Sequence, residues 1–141
     1  MNEPFRHAEL SPTPDTQAPD GSDVRLLVDL PPSAQHGGGG IAHFELGVGE
    51  TSTAVTHRTV EELWYFVSGR GEMWRAQDGR EQVLEVRKGM ALTIPLGTHF
   101  QFRTSGAEPL AAVGTTLPRW PGTDDEAIVV EGPWQPTVPS V

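Results

Sequence analysis

Two side chains in this sequence have the types and spacing to do chemistry together: His57 and Glu62, five positions apart in the stretch GETSTAVTHRTVEELWYFVSG that runs from Gly49 to Gly69. An imidazole and a carboxylate brought together on β-structure can supply half of a metal site. Without a metal, the same pair can act as general acid and base, the carboxylate orienting the ring and raising its pKa. A third arrangement is a buried hydrogen-bonded pair that does no chemistry, because a carboxylate buried alone would be costly. The three readings differ in whether other ligands join the pair. His43 is one candidate, but in IAHFEL the alternation gives Ala42, Phe44 and Leu46 to the core and leaves His43 outside or at an interface. His99 is the other. Ser52 and Ser68 have no nearby His and Asp at a nucleophile elbow, and His7 and His36 fall in flexible-looking segments.

The elements that must position the pair are strands. Glycine (16) and proline (13) are spread along the 141 residues, punctuating short apolar runs, which is an all-β pattern. Strands are expected at Val24–Leu30, Ile41–Leu46, Ser52–His57, Leu63–Val67, Glu72–Arg75, Gln82–Val86, Ala91–Ile94, Phe100–Arg103 and Leu110–Thr116. Asp78–Gly79 marks a hairpin between two of them. No segment holds a helical period over three turns, although the tail around Asp124–Glu126 could make one short turn. The glycines of SAQHGGGG follow no strand and open no helix, so a surface loop fits them better than a phosphate cradle. Such a chain makes a sandwich or a closed barrel.

The motifs resemble those of the cupins, small jelly-roll barrels built as a double-stranded β-helix. Gly49, His57, Glu62 and Gly69 fall on the spacing of the first cupin motif, and Gly89, Pro95 and Gly97 on that of the second. The resemblance covers residues 24–116. Around a barrel at 24–116, the proline-punctuated residues 1–23 read as an extended arm and the Pro- and Trp-rich residues 117–141 as a segment that packs on the barrel or on a partner. The two other ligand positions of the family hold Val55 and Phe100, and Thr104 stands where the second motif has Asn. His99 lies one place early, and a one-residue step along a strand moves a side chain to the opposite face.

The resemblance therefore implies a small organic molecule bound or transformed in the barrel. One form is a metal-dependent enzyme of dioxygenase, isomerase or lyase type, with Fe, Mn, Ni, Zn or Cu held by His57, Glu62 and an unconventional ligand such as His99. The alternatives are a metal-free binding or sensing barrel, and a metal-independent acid–base enzyme. Counting by twos from Glu62 gives Trp64 and Phe66 as pocket rings, with Phe100 and Phe102 facing them from the second motif. Phe66 and Phe102 also fit an ordinary core. Arg70, Arg75 and Arg103 could grip a carboxylate if they faced the pocket.

Charge and composition narrow the partners. With a net charge of −9 and no basic patch, nucleic acid and anionic membrane surfaces would repel the chain. There is no cysteine, which removes thiolate catalysis and disulfides and fits a reducing compartment. No apolar run reaches membrane-spanning length, and MNEPFRHAELSPTP lacks the pattern of a signal peptide, so a cytoplasmic location is expected. In the tail, Trp120 and Trp134 are expected to anchor the chain across the barrel while Ile128–Val130 adds an edge strand. The family resemblance adds a homodimer formed through such strands.

Overall fold

The computed structural model describes residues 3–123 and 125–139. Eleven strands run in the order β1 (Thr16–Gln17), β2 (Asp23–Leu30), β3 (Gly39–Leu46), β4 (Val55–His57), β5 (Glu61–Ser68), β6 (Arg70–Gln77), β7 (Arg80–Arg87), β8 (Ala91–Ile94), β9 (His99–Thr104), β10 (Leu110–Leu117) and β11 (Ala127–Val129). They form two antiparallel sheets. The first has the order β1-β2-β3-β10-β5-β8 and the second β11-β4-β9-β6-β7. Among the described residues there is no helix, and so none long and apolar enough to cross a membrane.

Alternation decides which side chains fill the space between the sheets. Along β5, Glu62, Trp64 and Phe66 are buried, whereas Glu61, Leu63 and Tyr65 are exposed. From the facing sheet, β9 sends in Phe100 and Phe102, and β6 adds Met73. These rings meet edge to face, Trp64 standing 5.2 Å from Phe102 and 6.1 Å from Phe100 between centroids. Phe102→Ala would leave a void in this close-packed centre. We expect a loss of about 3–5 kcal/mol of unfolding free energy with an unchanged denaturant slope, measured by urea titration.

Turns fall where the residue chemistry allows them. Asp78 (φ 53°) and Gly79 (φ 76°) both adopt the left-handed region, which gives the two-residue hairpin that pairs Gln77 with Arg80. Gly69, which closes the first motif, has φ 82°, and a β-carbon there would lie 2.3 Å from the Pro109 carbonyl oxygen. No other residue fits without moving the β10 entry.

The structure departs from the expected strands in three places. Ser52–Ala54 is not part of β4, because Ser52 ties itself to Phe102 instead: its N–H donates to the Phe102 carbonyl (2.9 Å) and its hydroxyl accepts from the Phe102 N–H (3.0 Å). Within the arm, Thr16 and Gln17 pair with Val24 and Asp23, so the chain joins the first sheet before β2 begins. The tail strand is Ala127–Val129, set on β4 with Ala127 opposite His57. Of the turn around Asp124–Glu126, Asp124 lies outside the described residues. Further along, Trp134 anchors the tail. Its carbonyl accepts from the amide of the fully buried Gln101 (2.8 Å), its N–H donates back (3.2 Å), and the Arg103 guanidinium lies 4.1 Å above its ring.

Candidate active site

His57 comes from the end of β4 and Glu62 from the start of β5, and the short turn between them folds the two strands so that the side chains converge. That turn is held by a residue from the tail. The buried Glu126 carboxylate accepts from the Thr59 N–H (2.8 Å) and from the Thr59 hydroxyl. His57 Nδ1 then lies 3.9 Å from Glu62 Oε2, close but beyond hydrogen-bond length. His57 is 9% exposed and Glu62 4%.

Burial pushes the two groups in opposite directions. The His57 ring lies edge-on to Phe100 (5.5 Å) and Trp120 (5.2 Å), and loss of water lowers its pKa to about 4, against a smaller opposing pull from the Glu126 carboxylate. Glu62 is pushed up to about 8, first by burial and then by the nearby Asp20, while a hydrogen bond from Trp64 Nε1 (3.3 Å) works the other way. At neutral pH the pair is therefore an uncharged imidazole and a protonated carboxyl. It is not an ion pair.

The pair opens on a cavity of about 320 Å³, walled by Phe44, Trp64, Phe100 and Trp120 among others. Phe44 and Trp64 are stacked, with centroids 5.1 Å apart and planes 18° from parallel. Gly114 of β10 makes room for them, since a β-carbon there would come within 2.5 Å of Phe44 and 3.1 Å of Trp64. The arm and the chain after β10 complete the wall: residues 16–20, which include β1 and Asp20, and Arg119 and Trp120.

Of the residues singled out from the sequence, His57, Glu62, Trp64 and Phe100 share this cavity. Phe66 and Phe102 are buried in the core cluster beneath it and do not line it. His99, half-buried opposite Ala76, does not line it; nor does His43, which stands opposite Arg25 and Val113 and is buried at 8% exposure instead of lying outside as the alternation suggested. Arg103 is turned to Glu72, with Nε at 2.9 Å and Nη2 at 2.7 Å from one oxygen, and Arg75 to the Thr93 carbonyl at 2.7 Å. Asp20 was not legible as a site residue, because a proline-rich arm has no period from which to read a facing side. Trp120 was legible as an anchor only.

The donor set decides how far a metal fits. His57 Nδ1 is buried without a hydrogen-bond partner, as a ligand atom would be. Among the described residues, however, no group of three or more His, Asp or Glu side chains comes together in a metal-holding arrangement. Val55 and Phe100, at the two other ligand positions, pair with each other across β4 and β9 and carry no donor atom. The residues present supply two ligands, fewer than the three or four protein ligands of zinc sites.

Comparison with solved structures shows the same fold in several proteins. The capsular polysaccharide assembling protein CapF from Staphylococcus aureus superposes with a TM-score of 0.65 at 16% identity, over 82% of this chain and 34% of its own. Oxalate decarboxylase from Bacillus subtilis, a protein with Mn(II) centres, gives 0.63 at 17% identity over 84% and 30%. A variant of Streptomyces PAC13 with uridine gives 0.59 at 16% identity, over 79% of this chain and 80% of its own. The chain thus spans about a third of the length of the CapF and oxalate decarboxylase chains. No curated protein matches. A family model described as the cupin domain matches residues 42–115, more than half of the 141 residues, and with the two-sheet topology and both glycine-framed motifs in place the chain belongs to the cupin family.

Proposed function

We propose that this cupin is a metal-independent acid–base barrel that binds a small, largely apolar organic molecule and moves a proton on it through His57 and Glu62. The observation that carries this reading is the pair itself: two buried groups 3.9 Å apart, shifted in opposite directions, at the wall of an aromatic cavity. Groups whose surroundings drive their pKa values apart take on separate acid and base roles. Between about pH 4 and about pH 8, Glu62 holds a proton it can give and His57 has room for one it can take. A substrate whose reacting atoms meet both groups from the cavity side would undergo isomerisation or elimination, with the water-poor walls strengthening each interaction. The barrel of PAC13, similar in length to this one, has been solved with uridine, a precedent for a small organic molecule in such a frame.

The test is turnover by chelator-treated protein on a panel of enolisable carbonyl and hydroxyl compounds. His57→Ala and Glu62→Gln are each expected to lower the rate by about 10²–10⁴. The wild-type rate should follow a bell with limbs near pH 4 and pH 8. Turnover that survives both substitutions would remove the pair from the chemistry.

A second reading follows from the orphaned His57 Nδ1 beside Glu62 Oε2: a divalent ion such as the Mn(II) of oxalate decarboxylase. Elemental analysis of untagged protein separates the two. Stoichiometric metal that disappears in His57→Ala would favour the ion over the proton pair.

A further inference from the structure

A buried carboxyl group is either held ionised by counter-charges and hydrogen bonds or stays protonated, because losing water as an unpaired anion is costly. This cavity holds two such groups and no counter-charge for either. Asp20 is 5% exposed and Glu62 4%, and both line it. Among the described residues neither has a Lys or Arg partner. The ionic contact of Glu62 is the uncharged imidazole of His57 at 3.9 Å, and Asp20 Oδ1 takes hydrogen bonds from the Ser22 N–H (2.9 Å) and hydroxyl (2.6 Å). The guanidinium at the cavity, that of Arg119, lies 3.8 Å from a third carboxylate, Asp29, at the mouth.

The remaining polar atoms need donors. His57 Nδ1 is buried without a partner and can accept a hydrogen bond in one tautomer, and the carboxyl oxygens accept as well. Around them stand the faces of Phe44, Trp64 and Trp120. Aromatic faces are electronegative and attract cations, while they offer an anion nothing.

From these acids without a counter-charge inside an aromatic wall, we propose that the cavity takes an organic cation: a small amine with an apolar or aromatic body, its ammonium set between Asp20, Glu62 and the rings. The proposal rests on the preceding reading only for the location of the ligand, and not on turnover. The ligand supplies the charge that the fold withholds. An amine arriving uncharged takes the Glu62 proton onto its nitrogen, giving ammonium and carboxylate. An amine arriving as ammonium displaces that proton to solvent.

Calorimetric titration of the whole protein with matched probes tests this: benzyltrimethylammonium, whose charge does not titrate, against benzyl alcohol and benzoate. The cation is expected to bind at least about tenfold tighter than the alcohol, and benzoate not at all. Glu62→Gln should weaken the cation at least about tenfold and leave the alcohol unchanged, while circular dichroism shows an intact fold. Asp20→Asn should weaken the cation and leave the alcohol unchanged. Benzyl alcohol or benzoate binding as tightly as the cation, or cation binding indifferent to both substitutions, overturns the proposal. If the alcohol wins while proton-transfer turnover persists, the acid–base reading stands and the cation falls. If no probe binds at millimolar concentration, both lose their ligand.

Discussion

Glu62→Gln is expected to make the protein more stable than the wild type above pH 8, by a margin on the order of 5 kcal/mol, and no more stable below about pH 4.5. The sign follows from proton binding. The Glu62 carboxyl titrates near its ordinary 4.5 in the unfolded chain and near 8 in the folded one, so between those values the folded state holds a proton that the unfolded state has lost. Wild-type stability from this group is complete below pH 4.5 and drains away as the pH rises through 8. A glutamine has the shape of the protonated carboxyl, and its oxygen can still accept from Trp64 Nε1, but it never has to ionise in the dry cavity. Urea titrations of the two proteins at pH 5, 7 and 9 read the difference directly, and background titrations common to both cancel. A margin that stays flat across this range would mean that Glu62 is hydrated and that the pair has no stored proton to give. His57 sets the opposite limb: its pKa falls on folding from 6.5 to about 4, so its contribution is lost as the pH drops through that window.

The second large effect is a gain. Val55 lies two residues before His57 on β4, hence on the same face, and Phe100 is its partner on β9, with the Phe100 ring 5.5 Å from that of His57. Val55→His together with Phe100→His would bring three imidazoles and the Glu62 carboxylate around one point. We expect one-to-one binding of a divalent transition metal, tighter than any by the wild type, and a stability increase of about 2.7 kcal/mol when free metal is a hundred times the dissociation constant. The Val55→His change overfills a buried site, at about 1–3 kcal/mol, so Phe100→His alone serves as the milder companion. If both proteins fold and neither retains more metal than the wild type after dialysis, β4 and β9 do not aim these positions at a common centre.

Much of this arrangement could be read from the sequence. The period of two in EELWYFVS and HFQFRT, and glycines spaced at the strand ends, carry the fold because they act locally, through strand pleat and turn geometry. The same parity sets His99 apart from Phe100, and the structure leaves His99 away from the cavity. What could not be read depends on distant chain. Asp20 and Trp120 reach the site from opposite ends of the sequence, and nothing near either residue encodes the other. The upward push on the Glu62 pKa was equally hidden, since it comes from burial and from Asp20. The early part of the expected Ser52–His57 strand failed for a related reason: the Ser52 hydroxyl offers the β9 backbone a bond that competes with the regular ladder.

The walls of the cavity have two origins. His57, Glu62, Trp64 and Phe100 stand on strands whose packing also builds the core, so evolution or an engineer can alter them only at a cost to folding. Residues 16–20 and 119–120 lie outside the span 42–115 that makes the chain a cupin, yet they close the same space. The cavity is thus bounded by separable parts of the polypeptide. Grafting a different arm and a different post-β10 loop onto an unchanged barrel would reshape the opening while preserving the His57–Glu62 pair, in the way that a lock is rekeyed without replacing the bolt.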